Sequence, residues 1–239
     1  MKYVYGPVKS RRLGLSLGVT TVPYKVCSFD CVYCQLGPTR QKVAKRSSFI
    51  DDKEILGEIS AFFENKPKDL EIDYVTFSGS GEPTLSSSLG NLIKGVRKIT
   101  KTRVALITNS SFLVDRRVRE EAAQVDLIVP SLDAVTQAEF EQIDRPVRGL
   151  KVKEIIRALK LFRNNFFGQM WLEVMLVRGI NDSEAYLRKI KKVIDTIKPD
   201  KVQLNTPVRL PAQKWVKVPA KDTLKKAREI FGALCDIVC

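Results

Sequence analysis

The sequence predicts a parallel α/β fold, either an open doubly wound sheet or a barrel with six βα units in place of the usual eight. Three observations carry this. Short β-branched runs alternate with amphipathic helical stretches from residue 15 to the end, six times over. The runs are largely apolar, as in parallel strands covered on their outer face. No internal repeat, low-complexity tract or long linker breaks the order, so residues 1–239 read as one core domain.

In chain order, the predicted strands are residues 15–19, 74–77, 104–108, 127–131, 171–177 and 201–205. The predicted helices are 52–65, 88–100, 115–123, 152–164, 183–197 and 221–234. Asp51 stands as N-cap of the first helix with Glu54 three residues on, a capping-box layout, and Ile55, Ile59 and Phe62 share one face. The fifth helix puts Leu187, Ile190, Ile194 and Ile197 on one stripe and leaves Arg188, Lys189, Lys191 and Lys192 outside it. The C-terminal helix, 221–234, carries the stripe Leu224, Ala227, Phe231 and Leu234. Residues 1–14 form a short N-terminal extension. In either architecture, chemistry collects at the C-terminal ends of the strands.

Composition narrows the chemistry further. No apolar run reaches the roughly 18 residues a membrane span needs, and Met1 to Pro7 lack the layout of a signal peptide, so a cytoplasmic protein is expected. Histidine is absent. That removes His-based general base catalysis, Ser–His and Cys–His nucleophile pairs, and every His-containing zinc or non-haem iron site.

Three of the five cysteines fall in the long connection after the first strand, as Cys27-Ser-Phe-Asp-Cys31-Val-Tyr-Cys34. Three thiolates at such spacing can share one iron–sulfur cluster, each on its own iron, leaving a fourth iron without a protein ligand. A structural zinc site wants a fourth protein ligand, which neither His nor a nearby Cys supplies. The competing reading is three unrelated structural thiols. Buried structural Cys usually lie on the core faces of regular elements instead of in a loop flanked by Pro23, Gly37 and Pro38.

With this motif after strand one and six βα units, the chain resembles the radical S-adenosylmethionine (SAM) superfamily. The resemblance implies an incomplete parallel (βα)6 barrel, a [4Fe-4S] cluster on Cys27, Cys31 and Cys34, and SAM bound through its amino and carboxylate groups to the fourth iron. It implies reductive cleavage of SAM to methionine and a 5′-deoxyadenosyl radical that takes hydrogen from a substrate.

Several segments extend the resemblance. Ser78-Gly79-Ser80-Gly81-Glu82 after the second strand looks like the family's Gly-Gly-Glu segment, whose backbone holds the SAM amino group; Ser80 departs from that triplet. A plain β-to-α turn is the alternative. Asn109 after strand three, and Ser131 and Asp133 at the end of strand four, match segments that contact SAM; each also suits a helix cap. Tyr33 stands where the family places an aromatic residue beside adenine, and Val177 where it packs on adenine. On strand five, Trp171, Glu173, Met175 and Val177 share a face, so an inward Glu173 needs a partner, for which Arg209 is one candidate. Tyr5-Gly6-Pro7-Val8-Lys9-Ser10-Arg11-Arg12-Leu13-Gly14 resembles the opening of a branch related to wyosine-base tRNA synthases, and Arg11 and Arg12 are candidates for binding an anionic substrate.

The net charge of +14 is spread over Arg40, Lys42, Lys45 and Arg46 after the cysteine loop, five basic residues between Lys94 and Arg103, and Arg116, Arg117 and Arg119. Such a surface suits tRNA through phosphate neutralisation, an acidic protein partner, or solvated helix faces alone. The resemblance also implies a low-potential electron donor of flavodoxin or ferredoxin type. A tRNA base is one expected substrate and a protein or peptide the other; the alternative to an enzyme is a non-catalytic iron–sulfur or zinc module. Cys235 and Cys239, four apart at the end, fall short of the four ligands a second cluster usually takes and read as structural thiols.

Overall fold

The structure is a computed structural model and describes residues 1–10 and 12–238; Arg11 and Cys239 lie outside the described residues. β1 (Val4–Ser10) turns back antiparallel onto β2 (Gly14–Val19). Next comes a separate two-residue parallel ladder, β3 (Val26–Cys27) with β4 (Gln41–Lys42), inside the cysteine loop. The main sheet continues with β5 (Tyr74–Phe77), β6 (Arg103–Thr108), β7 (Leu127–Pro130), β8 (Gln169–Met175), β9 (Lys201–Asn205) and β10 (Cys235–Val238). From β2 onward every pair is parallel, and the eight strands lie side by side in chain order.

That order decides between the two predicted architectures. A doubly wound sheet reverses its strand order at a switch point, whereas here each crossover moves one strand on in the same direction. The helices therefore lie on one face and the sheet curls into an incomplete barrel. They are α1 (Asp52–Asn65), α2 (Leu89–Ile99), α3 (Arg116–Ala122), α4 (Gln137–Ile143), α5 (Val152–Asn164), α6 (Glu184–Ile197) and α7 (Lys221–Phe231).

Both faces of the strands are buried, which explains their unbroken apolar character. Leu17, Val75, Phe77, Leu106 and Ile128 face the helices with Ile55, Ile59, Leu92 and Val96. The alternate residues Tyr74, Ala105, Leu127 and Val129 face the lumen, where Leu13 of the β1–β2 turn plugs between them.

Several elements differ from the sequence reading. The N-terminal extension is largely a strand, tied to α1 because Glu58 accepts from the N–H groups of Lys2, Tyr3 and Val4 at 2.8–3.0 Å. Asp51 caps α1 through Lys53 N, but Glu54 accepts from Tyr3 Oη at 2.7 Å instead of closing a capping box. The fourth strand stops at Pro130, and Ser131 makes only an isolated bridge to Glu173; the fifth runs two residues earlier, from Gln169 to Met175. The predicted 221–234 helix ends at Phe231, because Gly232 leaves helical geometry at φ +75°, and Leu234 is 57% exposed, off the stripe. Cys235 then opens a seventh parallel strand against β9. The seven-residue α4, absent from the sequence reading, buries only Phe140 and Ile143, too few apolar positions to show a period. No helix among the described residues is long and apolar enough to cross a membrane.

Candidate functional site

The C-terminal strand ends surround a cavity of about 380 Å3. Lys25, Cys27, Tyr33 and Cys34 of the cysteine loop form one wall. Gly79 and Gly81 after β5, Met175 on β8, and Asn205 to Arg209 at the end of β9 and beyond it form others, and Val8 to Ser10 with Arg12 close the last side.

The cysteine loop has little periodic structure, yet backbone hydrogen bonds anchor it along its length. Asp30 N donates to Asp144 O, Val32 N to Ile143 O, Val147 N to Ser28 O, and Gln213 N to Val32 O, all at 2.9–3.0 Å. Each thiol has its own polar neighbour. Asn109 Nδ2 lies 3.5 Å from Cys27 Sγ, Cys31 Sγ donates to Asp144 Oδ1 at 3.5 Å, and Lys25 Nζ lies 3.2 Å from Cys34 Sγ. Burial pushes the Cys27 thiol up to about 12, with the Glu82 charge adding to the effect. Burial and then the Asp144 carboxylate raise Cys31, to which Cys27 and Cys34 also contribute. The Cys27 and Cys31 thiols are thus held protonated when nothing is bound, and metal loading expels those protons.

The Ser78 to Glu82 segment is braced by its neighbours. Ser78 Oγ is 2.8 Å from Tyr5 Oη, and Ser80 C=O accepts from Lys25 N at 2.6 Å. Gly79 sits at φ +102°, and a Cβ on Gly81 would come within 1.9 Å of the Val26 carbonyl oxygen. Gly81 is therefore required for packing this turn against the cysteine loop. The Glu82 carboxylate, raised by burial, accepts from Thr84 N, Thr84 Oγ1, Thr108 Oγ1 and Asn109 N. Its side chain joins the end of β5 to the end of β6.

Asn109, Ser131 and Asp133 meet Phe29 and Asp144 around a small gap of about 10 Å3, distinct from the main cavity. Tyr33 connects the two: its ring lines the cavity, and its Oη donates to Asp133 Oδ2. Asp133 also accepts from Met175 N at 2.7 Å, and burial lifts its carboxyl to about 6. Val177 is fully buried in a cluster with Val32, Ile143 and Val216, while Met175, two residues earlier, stands on the cavity wall.

Glu173 does face inward, but its partner is Arg12 and not Arg209, which instead donates to Gln35. Lys25, Asn205 and Asp144 also stand at the site without a motif in the sequence to mark them. Asp144 caps the end of the unread α4, and Lys25 lies in a loop with no pattern to mark it. Alternation along β8 pointed Glu173 inward, but nothing in the spacing named Arg12 as its partner.

Comparison with known proteins identifies this arrangement. Residues 21–190 match the model of the radical SAM superfamily. The chain belongs to the radical SAM superfamily. It is 35% identical over 234 residues to a UPF0026 protein of Methanocaldococcus jannaschii, covering 98% of this chain and 72% of that one. It is 40% identical over 237 residues to a Brachyspira hyodysenteriae protein named GTPase Obg, covering 99% of this chain but 34% of the other. The present sequence contains no G-x-x-x-x-G-K-[ST] phosphate loop. A Thermotoga sp. protein named as a probable dual-specificity RNA methyltransferase RlmN is 26% identical over 216 residues, 86% of this chain and 58% of that one.

Among solved folds, a radical SAM methyltransferase from Sphaerobacter thermophilus superposes with TM-score 0.70 at 16% identity, covering 93% of this chain and 65% of the other. TYW1 with a bound lysine–pyruvate adduct superposes at 0.66 and 18%, covering 90% and 72%. The protein is a radical SAM enzyme, and membership implies SAM and an iron–sulfur cluster. The donor set fits such a cluster. Three thiols stand in one loop, two of them on the cavity wall.

Proposed function

We propose that Cys27, Cys31 and Cys34 hold a [4Fe-4S] cluster, that the adjoining cavity takes SAM, and that the substrate is an RNA base, with tRNA the first RNA to test. The placing of Cys27 and Cys34 on the wall of the strand-end cavity carries this reading. Bound there and reduced, the cluster supplies one electron to SAM, whose cleavage to methionine and a 5′-deoxyadenosyl radical serves to take hydrogen from the substrate. Tyr33 and Met175 offer the cavity an apolar wall, and Asp133 holds both in place through Tyr33 Oη and Met175 N. Gly79 and Gly81 bring bare backbone to the cavity wall.

An RNA substrate is supported by where the charge lies. The segments that frame the cavity, residues 1–14, 20–49 and 206–220, hold twelve Lys and Arg against one acid, Asp30. The other 180 residues hold 29 against 26. Of the twelve, Lys9, Arg12, Lys25 and Arg209 line the cavity itself, and positive charge there favours a phosphate-bearing substrate. Tyr24, exposed with Arg40 stacked 5.1 Å from its ring centroid, and the exposed Trp215 offer faces for unpaired bases. A low-potential carrier of flavodoxin or ferredoxin type is the proposed electron donor.

The test is anaerobic. The protein is loaded with iron and sulfide and reduced, its electron paramagnetic resonance (EPR) spectrum is taken with and without SAM, and 5′-deoxyadenosine is assayed with tRNA or with peptides. A spectrum altered by SAM, and nucleoside formation stimulated by tRNA, is expected. A cluster indifferent to SAM overturns the chemistry, whereas stimulation by peptides and not tRNA overturns the substrate alone.

A further inference from the structure

Lys25 is only 3% exposed. A lysine usually carries its ammonium out to water, and one kept inside needs an anion beside it. Among the described residues Lys25 makes no carboxylate ion pair; its side-chain hydrogen bond is the one to Cys34 Sγ, at 3.2 Å.

The backbone around it is built to keep it there. Lys25 sits at φ +61°, a left-handed conformation that non-glycine residues avoid. Three hydrogen bonds hold it: its N–H donates to Ser80 O at 2.6 Å, and its carbonyl accepts from Arg40 N at 3.1 Å and Gln41 N at 3.2 Å. The turn after β5 and the start of β4 thus clamp one residue in a costly geometry, with its ammonium against one thiol.

The other two cysteines have different surroundings. Cys27 meets the neutral donors Asn109 Nδ2 and Phe29 N, and Cys31 meets the Asp144 carboxyl. Among the described residues, only Cys34 of the three has a cation in hydrogen-bonding contact. Hydrogen bonds to ligand sulfur and nearby charge are two of the levers by which a protein sets the potential of an iron–sulfur cluster. A fixed positive charge favours the form carrying the extra electron.

We infer that Lys25 is a positioning residue that raises the reduction potential of the cluster through Cys34, making the electron needed for SAM cleavage easier to load. This rests on the reading of Cys27, Cys31 and Cys34 as cluster ligands.

The test uses the full chain, reconstituted anaerobically, as wild type and as Lys25→Gln, Lys25→Asn and Lys25→Arg. Asn tolerates the left-handed backbone and so separates loss of charge from loss of fold. Iron and sulfide are counted first, and the midpoint potential is then taken by mediated titration followed by EPR, without SAM. Expected are full iron content in all four, and a roughly tenfold lower reduced-to-oxidised ratio at fixed potential in the Gln and Asn variants, a midpoint about 59 mV more negative. The Arg variant should stay near wild type. An iron-loaded Gln or Asn variant with an unmoved midpoint overturns the inference, as does loss of iron from folded Gln and Asn variants, which would make Lys25 an assembly residue. Wild type without iron would instead sink the cluster reading, and this inference with it.

Discussion

The Arg12 guanidinium, in the turn between β1 and β2, donates to the Glu173 carboxylate half way along β8, with three strands of the sheet between them. In a flat sheet four strand spacings put β2 and β8 about 19 Å apart, beyond the combined reach of the two side chains. The contact therefore exists only because the sheet curls, and it spans the lumen at the cavity wall. Arg12→Ala should destabilise the protein by about 2–3 kcal/mol, since Glu173 is left nearly buried without its cation. Arg209→Ala should cost less than about 0.5 kcal/mol. Urea unfolding of both variants checks this, and equal losses would deny the pair its role.

Gly81→Ala should lower bound iron and thermal stability together, because the new methyl meets the Val26 carbonyl next to Cys27. Gly57→Ala is the control. It lies within α1 with nothing within 4 Å of a built Cβ, so it should stabilise by about 0.5–1 kcal/mol with iron unchanged. Iron content per chain and melting temperature are the readouts.

Replacing Glu82 tests whether that carboxylate is structural. Glu82→Ala strands four donors at the ends of β5 and β6 and should cost about 3 kcal/mol, with Glu82→Gln nearer 1–2. If Glu82→Ala unfolds at the wild-type urea midpoint, the brace is not one.

Asp133 gives a pH dependence with a definite sign. Folding raises its carboxyl from 3.8 to about 6, chiefly by burial, so the native state binds that proton more tightly than the unfolded chain. Its contribution is complete below about pH 3.8 and is lost as pH rises through 6. The Asp144 carboxyl, raised by burial and by the Asp133 charge, titrates with it, so metal-free protein should lose stability as pH rises from 4 through 6 and beyond as this pair ionises. Asp133→Asn should flatten that part of the curve, so parallel stability curves for the two proteins would refute the assignment.

Cys235 is buried at the start of β10 with its thiol raised to about 11, chiefly by burial. Cys235→Ala should leave the iron and sulfide count of reconstituted protein unchanged, while Cys31→Ala should abolish the cluster. Iron lost from Cys235→Ala would point to a second metal site at this end of the chain.

The sequence by itself determined what depends on near neighbours. The alternation of apolar runs and amphipathic stripes marked six of the parallel strands, because a strand buried on both faces shows that in its own residues. The spacing of Cys27, Cys31 and Cys34 marked the cysteine loop for the same local reason. Only the tertiary structure decided the curl of the sheet, β10 beside β9, the Arg12–Glu173 pair, the four donors around Glu82, and Lys25 against Cys34. Each joins residues that share no period, brought together by strand order and by the turns that clamp the loop. Their energy depends on burial that exists only once the whole barrel has formed.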